Sequence, residues 1–173
     1  PEGFFGLANN DINTEWQAVN KEEVDFAELL ADTMEKMQTV TTSHEVTLGR
    51  NDPAIVDGDP VLLRQLLRIF LENSLKYTPA GGHIHAYSVL ASDHSAVIVT
   101  LTDDGIGIAP EHLDRIFDRF YRVDSSRTKE TGGSGLGLSI ARWIAERHDI
   151  KITLRSELDE GTTVTLTIPT IQE

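Results

Sequence analysis

Four glycines in six positions, Gly132, Gly133, Gly135 and Gly137, run into the apolar, helix-like stretch Leu138-Ser139-Ile140. Glycines at this density let the backbone approach a ligand closely, and the helix that follows offers unpaired N–H groups and a positive dipole end to an anion. The anion such a loop suits is a phosphate, although the same pattern also serves as a plain tight turn. It is not a Walker loop, which needs Lys after its last glycine, nor a dinucleotide fingerprint, which needs a preceding strand of a parallel sheet. Ahead of it, Asp124 to Thr131 is a polar run that reads as a mobile lid, and Arg115, Arg119, Arg122, Arg127 and Lys129 concentrate positive charge there.

Two other stretches carry complementary chemistry. A helical pattern places Ile69, Asn73, Lys76 and Tyr77 on one flank, so an amide, an ammonium and a phenol emerge together near its C-terminal end. Farther on, period two puts Val97, Val99, Leu101 and Asp103 on one strand face, and a carboxylate continuing an apolar face is costly without partners. Asp104 points the other way and reads as solvated, and Gly105-Ile106-Gly107 lets the chain leave the sheet sharply. A purine amine wants a carboxylate acceptor, an aromatic ring can cover a base, and a divalent ion wants hard oxygen ligands. Asp103, Tyr77 and Asn73 fit those jobs, with Lys76 and an arginine for phosphate charge. Taken singly, Asn73 also reads as a surface amide, Asp103 as a turn residue and Lys76 as a solvated tip.

The elements that must position these groups follow from local pattern. Asp25 caps a helix carrying Phe26, Leu29, Leu30, Thr33, Met34 and Met37 at helical spacing, where packing explains both methionines. Thr39 to Leu48 is rich in Thr and Val and predicts a strand, with a short one near Ala54 to Val56. Asp59-Pro60 starts a second helix with Leu62, Leu63, Leu66, Leu67, Phe70, Leu71 and Leu75 as its buried stripe, ending at Thr78-Pro79. Ile84 to Leu90 and Ala96 to Thr102 predict a hairpin, as do Lys151 to Ser156 and Thr162 to Ile168. Between the hairpins, Pro110 opens a short helix through Leu113 and Ile116, with Phe117, Phe120 and Tyr121 as anchors, and a third main helix through Leu138, Ala141, Ile144 and Ala145 ends by His148. Three helices and a mostly antiparallel sheet make a two-layer α+β sandwich.

The 173 residues suffice for one domain, and the absence of cysteine removes disulfides and thiolate metal sites. A formal charge of −13 argues against general nucleic-acid binding, and no apolar run is long enough to span a bilayer. No basic-then-apolar leader pattern opens the chain, and Pro1-Glu2-Gly3 reads as a cut from something longer. Residues 1–23, with Trp16 and Val19 as anchors and room for one short edge strand, read as a linker remnant from an upstream domain, and residues 24–173 as the functional domain. Of the six histidines, His83 and His85 flank a strand start, His94 sits in a turn, His112 lies on a short helix and His148 ends one. They make no recognisable metal cluster. His44, in Ser43-His44-Glu45, reads as a partly buried strand residue on the more apolar face.

Jointly, four segments closely resemble the N box, first glycine box, F box and second glycine box of sensor histidine kinases, in the family's order: Leu71 to Pro79, Asp103 to Ile108, Ile116 to Arg122 and Gly133 to Ile140 respectively. The resemblance covers Asp25 to Pro169 and implies the Bergerat fold of the superfamily shared with gyrase, Hsp90 and MutL, a mixed sheet on three helices that holds ATP beneath a lid. It further implies Asn73 as magnesium ligand, Lys76 and Arg122 as phosphate contacts, Tyr77 as a base-side contact and Asp103 as acceptor for the adenine amine. Gly105, Gly107, Gly133, Gly135, Leu136, Gly137 and Leu138 would line the nucleotide site. Ile69 departs from the pattern: many members carry a second Asn there, and gyrase-type relatives a Glu base, so this residue disfavours hydrolysis and favours transfer to an external acceptor. That acceptor would be a histidine of an upstream dimeric helical domain, with a response regulator served by the whole kinase, the domain itself monomeric, and the location cytoplasmic beneath a membrane-bound sensor. An anti-sigma-type serine kinase and a nucleotide-dependent interaction module stand as alternatives. The Ser43-His44-Glu45 run resembles the start of the family's phosphoacceptor box but continues as Val46-Thr47-Leu48-Gly49 instead of Leu-Arg-Thr-Pro.

Overall fold

The computed structural model describes residues 18–109, 112, 116 and 137–171. In chain order the elements are β1 (Glu22–Asp25), α1 (Phe26–Val40), β2 (Glu45–Asn51), β3 (Ile55–Gly58), α2 (Pro60–Tyr77), β4 (His83–Leu90), β5 (Ala96–Asp103), α3 (Gly137–Arg147), β6 (Lys151–Glu157) and β7 (Gly161–Pro169). Strands β2-β4-β5-β7-β6 form one five-stranded sheet, parallel only between β2 and β4, and β1 pairs antiparallel with β3 in a separate ribbon. The α+β reading holds: three helices cover one face of a mixed, mostly antiparallel sheet.

Each helix sits where its apolar stripe can be covered. In α1 the six residues at helical spacing, Phe26, Leu29, Leu30, Thr33, Met34 and Met37, are its buried ones, and the Asp25 carboxylate accepts the Glu28 N–H at 3.1 Å. In α2 the buried stripe is Leu63, Leu66, Leu67, Phe70 and Leu71, with Leu62 and Leu75 partly buried at its margins. In α3 it is Ala141, Ile144 and Ala145. They meet Val97, Val99, Leu101, Val164, Leu166 and Ile168 of the central strands, all buried. Each such aliphatic side chain contributes about 1.5–3 kcal/mol by leaving water.

Three expectations shift. The strand placed at Thr39 to Leu48 starts only at Glu45, because α1 continues through Val40 with the Thr39 hydroxyl donating to Lys36 O at 2.7 Å; His44 lies in the bend before the strand. The short strand near Ala54 runs instead from Ile55 to Gly58, where it pairs with the edge strand at Glu22–Asp25. His148 does more than end a helix: it is buried, its Nδ1–H donates to Ile144 O at 2.8 Å, and its Nε2 accepts the Asp59 N–H at 3.0 Å. Trp16 and most of the short helix from Pro110 lie outside the described residues, although Ile116 is buried as an anchor should be.

Candidate nucleotide site

Asp59 begins the arrangement. Its Oδ1 accepts the Val61 and Leu62 N–H groups at 3.0 and 3.3 Å, with Pro60 in the first turn, so α2 starts at a defined point. The stripe buried against the sheet then fixes the rotation of α2 and leaves Asn73 and Tyr77 half-buried and Lys76 exposed on its flank. Neither Asn73 nor Lys76 has a hydrogen-bond or ion-pair partner among the described residues. The intervening Ser74 points to the sheet and donates its hydroxyl to Asp103 Oδ2 at 2.9 Å.

Asp103 is the last residue of β5, and its other oxygen, Oδ1, accepts the Gly105 N–H at 2.9 Å and the Thr162 N–H at 3.3 Å. Three donors from three elements thus compensate the carboxylate that continues an apolar face. The turn beyond it is locked to the end of α2, since the Ile106 N–H donates to Tyr77 O at 3.0 Å. A Cβ on Gly105 would collide with Tyr77 O and lie 2.7 Å from Thr78 Oγ1, so only glycine permits this approach. Beside it the Thr78 Oγ1 is buried without a hydrogen-bond partner among the described residues, a polar atom aimed at this same junction. Gly107 carries φ of 76° and its backbone abuts Glu157 at the tip of the β6–β7 hairpin.

Asp104 faces solvent, as its position on the strand predicts, but it is also paired. It accepts the His83 N–H at 2.7 Å and meets His83 Nδ1 at 2.8 Å. The side-chain hydrogen bond and charge of Asp104 push the His83 imidazole above its ordinary range, and the His83 backbone N–H, then its ring, hold Asp104 below the usual carboxylate range.

The described end of the glycine loop also reaches α2. Ile69 Cγ2 lies 3.7 Å from where a Gly137 Cβ would stand, so the helix start at Gly137 and Leu138 flanks the face that carries Asn73. Asn73, Lys76, Tyr77, Asp103, Gly105, Gly107, Gly137 and Leu138 therefore occupy neighbouring parts of one wall. Arg122, Gly133, Gly135, Leu136 and the run Asp124 to Thr131 lie outside the described residues. Sequence reasoning missed Ser74 and Thr78; their adjacency to Asn73 and Tyr77 was the available signal.

The chain has known counterparts. Residues 58–172 match the family described as histidine kinase-, DNA gyrase B- and HSP90-like ATPase. The chain belongs to this family. It is 34% identical over 172 residues to the sensor histidine kinase WalK of Bacillus subtilis, covering 98% of this chain and 27% of that protein. To the histidine protein kinase SaeS of Staphylococcus epidermidis it is 42% identical over 110 residues, 64% of this chain and 31% of that one. The chain thus spans only about a third or less of these relatives. Among solved structures, the mycobacterial sensor histidine kinase MprB superposes with a TM-score of 0.76 at 25% identity, over 89% of this chain and all of that one. Full-length ShkA in complex with AMPPNP gives 0.75 at 27% identity, over 90% of this chain and 32% of that one. The domain is accordingly an ATP-binding domain of the histidine kinase family.

Proposed function

We propose that this domain binds Mg-ATP and transfers the γ-phosphoryl group to a histidine of an upstream dimeric helical domain, within a sensor kinase that serves a response regulator. The observation that carries the reading is the interlocking of the α2 terminus with the β5 turn. It sets an aromatic ring, Tyr77, and a three-fold-bonded carboxylate, Asp103, beside an amide, Asn73, whose side chain has no partner among the described residues. Asp103 would accept the adenine amine, and Tyr77 would cover the base.

The donor set suits the cofactor. Among the described residues no three His, Cys, Asp or Glu side chains cluster for a metal. A magnesium ion would accordingly be held by the Asn73 carbonyl oxygen together with phosphate oxygens and water, the mode such ions favour at phosphates. Lys76 and Arg122 would neutralise phosphate charge, with Gly133, Gly135, Leu136, Gly137 and Leu138 as the phosphate-side backbone. When bound, Mg-ATP supplies the transferable phosphoryl group; the chain's own task is to hold and orient it. Ile69, where relatives of the gyrase type carry a carboxylate base, offers nothing to activate water and supports transfer over hydrolysis.

The acceptor is best sought outside the chain. His44 has both ring nitrogens bonded, Nδ1 near the Thr41 and Ser43 hydroxyls at 3.1 and 3.0 Å and Nε2 on Thr78 O at 2.6 Å, which supports a structural part for it. We assign residues 1–23 to the connection from the acceptor domain and 24–173 to a monomeric catalytic domain, on the cytoplasmic side of a membrane-bound sensor; among the described residues no helix is long and apolar enough to cross a membrane. The test supplies a dimeric helical domain bearing the histidine, in trans, with γ-labelled ATP, and locates acid-labile phosphate by mass spectrometry at neutral or alkaline pH. Label on the supplied histidine and none on this chain is the expected result. Phosphate on His44 would overturn the assignment. Tight Mg-ATP binding with no label on any acceptor would favour a nucleotide-dependent interaction module, the reading Ile69 also suits.

A further inference from the structure

His44 stands on the side of the α2–β4 turn away from β5, yet it is bonded into the turn itself. Its Nε2 lies 2.6 Å from the carbonyl oxygen of Thr78, the C-cap of α2, and a carbonyl can only accept, so Nε2 carries the proton. That carbonyl belongs to a helix terminus, where backbone oxygens lack intrahelical partners. Around it the backbone repeats the attachment: the Gly81 N–H donates to Ser43 O at 2.6 Å, and the Glu45 N–H donates to Gly82 O at 2.9 Å. From Thr78 the path to the candidate site is one residue long. Tyr77 O receives the Ile106 N–H at 3.0 Å, and the missing Gly105 side chain leaves room for Tyr77 O and Thr78 Oγ1. The described contacts therefore run from His44 through the Thr78 carbonyl to the backbone of Tyr77 and, through its carbonyl, to the turn that holds Asp103.

We propose that His44 is a positioning residue of the nucleotide site, its Nε2–H holding the Thr78 carbonyl so that Tyr77 and the Asp103 turn keep the separation an adenine ring requires. The proposal rests on the base-binding reading of Asp103 given above. Backbone bonds alone tie residues 43–45 to Gly81 and Gly82; His44 is the side chain that reaches back to the helix terminus itself. Because the path ends at the base and not at the phosphates, the effect of His44 falls equally on ATP and ADP.

Gln and Asn separate this role from mere filling of space. The amide of His44→Gln has the reach of Nε2 and can donate to Thr78 O. That of His44→Asn reaches only as far as Nδ1 and serves Ser43 and Thr41. Calorimetric titration of the full chain should show His44→Gln within about twofold of the parent. His44→Asn should bind both ATP and ADP about fivefold more weakly, the worth of one net hydrogen bond. Equal affinities for the Asn and Gln variants, or a loss confined to ATP, would overturn the proposal. Should His44→Asn not fold, the parent carries the test: its imidazole 15N spectrum should show His44 as the Nε2–H tautomer with a resonance that shifts on saturation with ADP. A resonance that does not move counts against the assignment. Asp103→Asn, run alongside, keeps the two readings apart. If it too leaves ATP affinity unchanged, the base-binding reading fails; if it weakens ATP while His44→Asn does not, only the His44 assignment falls.

Discussion

Changing Asp103 to Asn should exchange the base this site accepts. In the folded chain Oδ1 receives the Gly105 and Thr162 N–H groups, whereas among the described residues Oδ2 receives only the Ser74 hydroxyl, which can rotate to accept instead. The Asn side chain therefore has one comfortable orientation: carbonyl oxygen toward the two amides, NH₂ toward Ser74 and the ligand. An adenine amine would then meet a donor in place of an acceptor. Leaving a buried polar group unsatisfied costs about 1–3 kcal/mol, so ATP should bind roughly 5- to 150-fold more weakly. Inosine triphosphate, whose ring presents a keto oxygen at that position, gains the bond that ATP loses. The assay is calorimetric titration of parent and variant with both nucleotides, after circular dichroism has established that the variant folds. The parent should prefer ATP and Asp103→Asn should level or reverse the preference. A folded variant that binds ATP as tightly as the parent would refute the reasoning and leave Asp103 as a turn residue.

Three further outcomes follow from the same geometry. Asn73→Ala should weaken Mg-ATP far more than metal-free ATP; equal loss with and without magnesium would remove Asn73 as a metal ligand. The His83–Asp104 pair should stabilise the fold within a pH window. The His83 pKa is raised, so its share is full below its unfolded value of 6.5 and fades as pH rises through the folded one; the Asp104 pKa is lowered, so its share is full above 3.8 and fades as pH falls through the folded one. The melting temperature gap between parent and His83→Gln should accordingly be wider at about pH 5.5 than at about pH 8.5, and a constant gap would deny the linkage. Gly107→Ala should cost about 2–5 kcal/mol in chemical denaturation, because it combines a left-handed non-glycine residue with a clash against backbone that cannot rotate away. An unchanged midpoint would place the turn differently.

Much of the fold was legible because it is local. The six buried residues of α1, the Asp59-Pro60 start of α2 and its buried stripe, and both hairpins follow from spacings of two to four residues and from caps written into adjacent positions. Asn73, Lys76 and Tyr77 were legible in the same way, since one helix face brings them together. Thr39 and Val40 show the limit: their β propensity favours a strand, but they lie in the last turn of a helix already anchored by Phe26 to Met37.

What only the tertiary structure decided is how the polar groups are paired. His148 meets the Asp59 N–H across 89 positions, Ser74 meets Asp103 across 29, and His44 meets Thr78 across 34. In the sequence, His44 resembled the opening of a phosphoacceptor box, and only the packed bend shows both of its nitrogens engaged. Asp104 was equally opaque, because its partner His83 arrives through the β4–β5 pairing. Apolar periodicity tells a residue which way to face, since burial is non-directional and any apolar neighbour will serve. A hydrogen bond needs one particular donor at one particular distance and angle, and that is set only when the helices have packed and the strands have found their register.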